Sequence, residues 1–126
     1  MEVYTSCYDH VPNLDKEAYT YIRVSRKEPP PWFVAEYAHV DMSSSFGPSE
    51  AMLHDCHPLE KWDIFKPRYI SEVLGALDND ATLKTLQDAY ESNGNRPLLL
   101  LCYETAQQKC HRHLIGDHLG FKTTEL

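Results

Sequence analysis

The sequence contains neither a long apolar segment nor a secretion signal. No apolar run approaches the roughly 18 residues needed to span a bilayer. The first residues, MEVYTSCYDH, lack the basic region and the apolar stretch of a secretory signal. The chain shows no internal repeat and no linker. We therefore expect a cytoplasmic protein that forms a single domain over residues 1–126, long enough for one hydrophobic core.

The cysteines lack the spacing of zinc-binding and disulfide-rich domains. Four are present, at positions 7, 56, 102 and 110. This pattern favours free thiols in a reducing compartment, because small secreted domains carry cysteines far more densely. A zinc ribbon or finger normally repeats a C-x-x-C pair, which is missing here. We therefore predict no metal, no cofactor and no structural disulfide.

Two groupings keep a metal or a redox pair as weaker alternatives. Cys102, Cys110 and His111 can converge around an ion, and the segment 54–57 (HDCH) offers further ligands. A redox disulfide between Cys102 and Cys110 would require their Cα atoms to come within roughly 7 Å. Neither spacing matches an established motif, so we rank both below a free-thiol site.

Basic residues are outnumbered in this chain. Twelve lysines and arginines stand against nineteen acidic residues, which gives a net charge of −7. Binding to long duplex nucleic acid depends on a basic surface, because neutralisation of phosphates supplies most of the affinity. We therefore expect no long duplex and no membrane as a partner. A small anionic ligand, one end of a nucleic acid or a protein partner stays open, and the sequence does not determine the oligomeric state.

The apolar runs predict an α/β protein. Four consecutive leucines open a strand over 98–103, which should be buried on both faces in the middle of a parallel sheet. Segments rich in Tyr, Val, Ile and Thr predict two further strands, over 3–8 and 19–25. We expect a small single-domain three-layer sandwich with a mostly parallel sheet of three to five strands.

Three other segments have the apolar periodicity of helices. The first covers 58–77, and Pro67 should kink or interrupt it. The second covers 81–92, with Asp80 as the expected N-cap. The third covers 110–119 and ends before Gly120.

Reactive and charged side chains crowd the connection between the 98–103 strand and the last helix. In open α/β sheets, ligands bind beyond the carboxyl ends of the strands. Cys102 and Glu104 fall at that end of the strand. Cys110, His111 and Arg112 fall at the start of the helix. We therefore predict that this connection carries the functional site.

Each of these residues has a chemical role that fits and a structural alternative. A helix N-terminus and an adjacent imidazole lower a thiol pKa, so Cys110 is a candidate nucleophile and should be more reactive than the more buried Cys102. Glu104 suits a general base, a nucleophile or a ribose-hydroxyl acceptor. Arg112 suits a phosphate or carboxylate. In the structural alternative, Cys110 packs under the strand and Arg112 simply pairs with Glu104.

Arg26 is a second candidate for anion binding. It follows the 19–25 strand and precedes three prolines. If that strand runs parallel to the 98–103 strand, its end should share a crevice with Glu104. The structural alternative is a solvated arginine whose stem covers apolar surface.

Three motifs resemble one protein family. An apolar strand that ends in C-Y-E, a short gap and C-H-R at a helix start (LLLLCYETAQQKCHR) is similar to the domain-of-unknown-function 488 family. Upstream, IRVSRKEPPPWF and the W-x-x-F-x-x-R-Y pattern in EKWDIFKPRY resemble the same group, including its YeaO-like branch. The resemblance extends from Val3 to Leu119. It implies an α/β fold and a candidate site, and it brings no established reaction.

These observations lead to one functional hypothesis and one rival. The favoured hypothesis is a small enzyme that acts on an anionic substrate, either nucleotide-like or a nucleic-acid end. Its chemistry would lie on Cys102, Glu104, Cys110 and His111, with Arg112 and Arg26 as anion-binding residues. The rival is a non-catalytic nucleotide-binding or protein-interaction module. A carboxylate beside activated thiols favours catalysis, whereas an acidic surface favours a protein partner.

Overall fold

Five strands form one parallel sheet in the computed structural model, which describes residues 1–104 and 110–126. The strands are β1 Val3–Cys7, β2 Thr20–Arg23, β3 His39–Asp41, β4 Leu98–Cys102 and β5 Thr123–Glu125. Their order across the sheet is β3-β2-β4-β1-β5. The predicted α/β class is therefore confirmed, with the sheet at the upper end of the expected size.

The four-leucine strand lies in the middle of the sheet. β4 pairs in parallel with β1 on one side and with β2 on the other. All five of its residues are buried. The prediction of an interior parallel strand is confirmed, and the carboxyl ends of β1, β2 and β4 consequently meet at one edge of the sheet.

Side chains of β4 alternate between two hydrophobic clusters, one on each face of the sheet. Leu98, Leu100 and Cys102 belong to the cluster that contains residues of the longer helices. Leu99 and Leu101 point to the opposite face and pack in a cluster that includes several aromatic rings. Two covered faces explain why an unbroken apolar run, rather than an alternating one, forms this strand.

Six α-helices are found in the described part of the chain. They are α1 Pro31–Glu36, α2 Ser43–Phe46, α3 Glu50–Asp55, α4 Trp62–Glu72, α5 Asn79–Ser92 and α6 Arg112–Leu119. Short 3-10 helices cover Tyr8–Asn13 and Leu74–Ala76. None of the described helices has the length and apolarity to cross a membrane.

Two details of the predicted helices were wrong. The segment 58–77 contains an α-helix only from Trp62 to Glu72, which is shorter than predicted. Of the two outcomes predicted for Pro67, a kink or an interruption, the interruption does not occur, because the helix continues through this residue. The N-cap of α5 is Asp78, whose carboxylate accepts a hydrogen bond from the Ala81 amide, and not Asp80. Helix ends depend on single side-chain contacts, which periodicity does not report.

The last strand, β5, was not predicted. It is three residues long and pairs in parallel with β1 at the edge of the sheet. Gly120 ends α6 with a left-handed backbone (φ 82°), which lets the chain turn back towards the sheet. A methyl group on Gly116 would overlap Thr123 Cγ2, so α6 and β5 pack too closely for a larger residue there. This close packing brings Glu125 next to the start of α6.

Candidate functional site

The predicted site lies at the carboxyl edge of the sheet, where β4 leads towards α6. Cys102 is the last residue of β4, and Glu104 follows two positions later. Cys110 and His111 immediately precede α6, which begins at Arg112. The residues between 104 and 110, including Lys109, lie outside the described residues. The described side chains nevertheless converge from both ends of this connection.

The sulfur atoms of Cys102 and Cys110 are paired in contact. We predicted no structural disulfide and ranked a redox pair of these two cysteines below free thiols. The contact between their sulfur atoms corrects both expectations. The two Cα atoms are 7.9 Å apart, however, which exceeds the roughly 4.4–6.8 Å usual for a disulfide. The two sulfur atoms are therefore in contact although their Cα atoms are farther apart than in a typical disulfide.

Cys110 lies within reach of a carboxylate and an imidazole. Its Sγ donates to Oε2 of Glu104 over 3.2 Å. Nδ1 of His111 is 3.6 Å from the same sulfur. A thiol with a base on each side can lose its proton to either one.

His111 is held in one orientation by the backbone just after the end of β2. Its Nε2 lies 2.8 Å from the carbonyl oxygen of Val24. Because a carbonyl only accepts, Nε2 carries the ring proton and Nδ1 presents its lone pair to Cys110. Burial lowers the pKa of His111 below its ordinary value, so the ring is neutral near pH 7. The Tyr69 ring packs against the imidazole, with the two ring centroids 5.3 Å apart.

Arg112 is fully buried and binds protein groups with its whole guanidinium. Two of its nitrogens bind the carboxylate of Glu125, over 2.9 Å and 3.1 Å. Nη1 donates to Sγ of Cys102 over 2.9 Å and to the main-chain oxygen of Glu104 over 2.8 Å. The ion pair between Arg112 and Glu104 that the structural alternative assumed is not formed, because Arg112 pairs with Glu125 and reaches Glu104 only at its backbone.

The predicted difference in burial between the two cysteines is also wrong. Cys102 is 1% exposed and Cys110 is 0% exposed. Cys110 lies two positions before the first residue of α6, so it is outside the first turn, where the helix dipole acts most strongly. Its expected activation therefore depends on Glu104 and His111 more than on the helix end.

Arg26 lies at a separate, open cleft. β2 is parallel to β4, as the prediction required. Arg26 borders a cavity of about 880 Å³ together with Asp41 and the serines at positions 43–45. It also borders an adjoining cavity of about 530 Å³, which includes Lys27. None of the C-terminal candidates lines either of these two cavities, so neither cavity connects Arg26 with Glu104.

The cleft residue Arg26 is nevertheless close along the chain to the residue that orients His111. Val24, whose carbonyl orients His111, precedes Arg26 by two residues. Arg26 forms an ion pair of 3.1 Å with Glu50, and both side chains are substantially exposed. An anionic ligand in the cleft can therefore compete with Glu50 for the guanidinium.

One set of side chains in the described residues has the arrangement of metal ligands. Cys102, Cys110 and His111 each offer a ligand atom, and these atoms lie within 4.8 Å of one another. The segment 54–57 does not form a second such set among the described residues. There, His54 pairs with Asp55, and the Cys56 thiol donates to the Met52 carbonyl.

Sequence reasoning missed Glu125, Val24 and the serine-lined side of the cleft. The only local signal for Glu125 is the short β-branched stretch at Thr123 and Thr124, which is too weak to predict an edge strand. Val24 contributes a backbone carbonyl, which no residue pattern identifies. The serines follow β3, a strand of three residues.

Comparison with protein families gives one match. The family model DUF488-N3a, described as the active DUF488-N3 subclade, matches residues 12–122. Comparisons with curated proteins and with solved structures give no match. The matched range includes β2, β4 and all the C-terminal candidate residues.

Proposed function

The chain belongs to the DUF488-N3a family, and from this premise we propose an enzyme that uses the Cys110 thiol as a nucleophile. Its substrate is a small anionic molecule, nucleotide-like or a nucleic-acid end. The description of the family as an active subclade agrees with a catalytic role. The cytosol keeps thiols reduced, so we infer that the enzyme works in the cytoplasm.

The observation that carries this proposal is the position of Cys110 between two bases. Its sulfur contacts Oε2 of Glu104 at 3.2 Å and Nδ1 of His111 at 3.6 Å. The Val24 carbonyl orients the imidazole from its far side. This arrangement of a nucleophile, a base and a group that orients the base is typical of enzymes that use covalent catalysis.

The proposed steps balance protons within this network. In the reduced protein, in which no bond joins the two cysteines, the Cys110 thiol gives its proton to Nδ1 of His111, and the sulfur bonds to the electrophilic atom of the substrate. The leaving group departs with the proton held by His111. Glu104 then takes a proton from a water molecule, whose hydroxyl joins the substrate and breaks its bond to sulfur. The proton on Glu104 returns to the sulfur, which restores the thiol.

The other candidate residues have supporting roles in this proposal. Arg26 and the neighbouring serines suit the anionic group of the substrate, because the cleft beside them is open and Arg26 is partly exposed. Arg112 and Cys102 are positioning residues. Arg112 fixes Cys102 Sγ, and Cys102 Sγ contacts the sulfur of Cys110.

The test is a turnover screen with the full chain under reducing conditions. The panel contains nucleoside mono- and diphosphates and short oligonucleotides with phosphate at either end, with products identified by mass spectrometry. For a substrate that is turned over, Cys110→Ser should lower kcat/KM by at least about 1,000-fold. Arg26→Ala should raise KM about tenfold and leave kcat nearly unchanged.

Cys56→Ser is the matched control for the nucleophile. Cys56 is also buried, but it lies at the end of α3 and bonds to a backbone carbonyl there. Wild-type kinetics are expected for this variant. Equal activity of Cys110→Ser and wild type would exclude the thiol mechanism.

A nucleotide-binding module without catalysis is the second candidate. The observation in its favour is burial: Cys110 and His111 are almost wholly covered, whereas the cleft at Arg26 is open. This candidate predicts nucleotide binding in titration calorimetry that Arg26→Ala weakens and Cys110→Ser leaves unchanged, with no product from any member of the panel.

A further inference from the structure

We propose that Cys102, Cys110 and His111 form a binding site for a soft divalent metal ion of the Zn²⁺ class. The site does not depend on the proposed reaction. These three residues each offer one ligand atom, and the atoms lie within 4.8 Å of one another. Oε2 of Glu104 lies 3.2 Å from Sγ of Cys110 but is not part of this group, so a water oxygen would take the fourth position on the ion. Two sulfurs, one nitrogen and one oxygen are a ligand set that zinc accepts in tetrahedral geometry.

The backbone spacing of the two cysteines fits a shared ion better than a direct bond. Their Cα atoms are 7.9 Å apart, whereas disulfides usually have about 4.4–6.8 Å. Two thiolates on one zinc ion, each at about 2.3 Å from the metal, lie about 3.8 Å from each other. A bridging ion therefore tolerates a wider separation of the two Cα atoms.

His111 is already oriented as a metal ligand. Ligating histidines almost always donate their second ring N–H to a carboxylate, a carbonyl or water, which fixes the tautomer. In this chain Nε2 lies 2.8 Å from the Val24 carbonyl, and Nδ1 faces the sulfur atoms. Val24 is itself held by β4, because its amide donates to the Leu101 carbonyl over 3.2 Å. The sheet thus fixes the direction of the nitrogen lone pair.

Arg112 suits the charge of a thiolate site. Its Nη1 donates to Cys102 Sγ over 2.9 Å, and donors of this kind stabilise a sulfur that has lost its proton. The remaining charge of the guanidinium is balanced by Glu125 at 2.9 Å. Cysteine must be deprotonated to bind a metal ion, so binding should release protons and weaken as the pH falls.

The strand-to-helix connection explains why the sequence pattern missed this site. The cysteines are eight positions apart, whereas zinc ribbons and fingers carry closely spaced pairs. Here one sulfur comes from the end of β4 and the other from the residue before His111, and the fold brings them together. The expectation of no metal depended on spacing along the chain, which does not report this convergence.

A bound ion would also conflict with the proposed nucleophile. It would use the sulfur electron pair of Cys110 and the Nδ1 lone pair of His111, which the thiol mechanism needs. Metal-bound and thiol-active forms of the protein therefore exclude each other. Metal binding can therefore be measured on the metal-loaded protein and turnover on the metal-free protein.

The test uses the reduced, metal-stripped full chain, titrated with Co²⁺ and with Zn²⁺ in the absence of oxygen. Co²⁺ should bind one ion per chain, with the intense thiolate-to-cobalt absorption and the visible bands of a tetrahedral site. Zn²⁺ should displace it at equal stoichiometry, which elemental analysis verifies. Absence of the thiolate-to-cobalt absorption in the wild-type protein would overturn the proposal, and so would a Cys102–Cys110 cross-link that persists in the reductant.

Matched variants identify the ligands. Cys110→Ser and His111→Gln should each weaken Co²⁺ binding by at least about 100-fold, with circular dichroism as the check on folding. Cys56→Ser and His113→Gln change the same residue types outside the proposed ligands and should bind as wild type does. Loss of binding in the controls but not in the ligand variants would refute the assignment.

The outcome is separable from the proposed enzymatic function. Tight metal binding combined with turnover only after chelation supports both proposals. Turnover that requires the metal supports the site and excludes the thiol mechanism. Turnover in a protein that binds no Co²⁺ excludes the site and leaves the thiol mechanism standing.

Discussion

At the scale of single residues, Arg112 connects three parts of the candidate site. It is fully buried and binds Glu125 on β5, Cys102 on β4 and the main chain at Glu104. Its guanidinium has no surface left for a ligand. The anion-binding role predicted for Arg112 stays untested, but its contacts favour a role in positioning the sulfur atoms.

Arg112→Met should strongly destabilise the fold. The substitution removes the guanidinium from the Glu125 carboxylate, which is only 23% exposed, and leaves the Thr5 hydroxyl as a donor to it. Breaking a buried ion pair in this way lowers the free energy of unfolding by about 3–5 kcal/mol. Urea denaturation measures the change. Lys84→Met breaks the exposed Lys84–Asp88 pair and is the control, which should change stability far less; equal losses in the two variants would contradict the interpretation.

Tyr8 should make the protein sensitive to alkali. Burial raises the pKa of Tyr8 to about 12, and its hydroxyl lies 3.1 Å from that of Ser25. Because the folded pKa lies above the unfolded value of about 10, this stabilisation is complete below pH 10 and disappears as the pH rises towards 12. The full effect is up to about 3 kcal/mol.

Comparison of Tyr8→Phe with wild type tests this expectation. Stability is measured by urea denaturation in steps from about pH 8 to about pH 12. The variant should lose less stability over this range than wild type, since phenylalanine has no proton to release. The variant should still lose some stability over this range, because burial also raises the pKa of Tyr21 to about 12. Identical pH dependence in Tyr8→Phe and wild type would contradict the assignment.

At the scale of elements, α4 has a proline in its interior that should lower its stability. Pro67 is exposed and lies inside the helix, where it cannot donate a hydrogen bond. Pro67→Ala should therefore raise the free energy of unfolding by about 1–2 kcal/mol, since the gain in the helix exceeds the entropy that proline removes from the unfolded chain. Thermal unfolding measures the difference. Lys66→Ala, at the adjacent exposed position, is the control and should change the free energy of unfolding far less. A lower stability of Pro67→Ala than of wild type would show that the proline is required.

The N-cap of α5 offers a second test at this scale. Asp78 accepts a hydrogen bond from the Ala81 amide over 3.1 Å, whereas Asp80 lies within the first turn. Asp78→Ala should lower the free energy of unfolding by about 1 kcal/mol. Asp80→Ala is the matched control and should have the smaller effect. The reverse order would restore the cap position predicted from the sequence.

At the scale of the whole molecule, stability should be greatest in the middle of the sheet. β4 has a paired strand on each side and only buried residues, whereas β3 and β5 are three-residue edge strands. The amides of Leu99, Leu100 and Leu101 should therefore exchange with solvent only through global unfolding. The hydrogen-bonded amides of β3 and β5 should exchange faster, through local opening. Hydrogen exchange read by NMR measures both, and equal protection across the sheet would contradict this gradient.

Local patterns were sufficient to predict β1, β2, β4 and the longer helices, and to predict that Cys102, Glu104 and Cys110 lie close together. The four leucines identified β4 as an interior strand, because burial on both faces removes the alternation of an exposed strand. Helical periodicity located α5 and α6 to within a few residues. Cys102, Glu104 and Cys110 could be grouped because strand end and helix start must adjoin in a parallel sheet.

Only the tertiary structure decided which atoms meet at that edge. Arg112 selects Glu125 rather than Glu104 because β5 lies beside β1 and α6 packs closely on it. His111 turns its Nδ1 to the sulfur atoms because β2 lies beside β4 and presents the Val24 carbonyl. Both contacts depend on the order of the strands across the sheet, and that order is set by long-range packing, which the periodicity of a single segment does not encode.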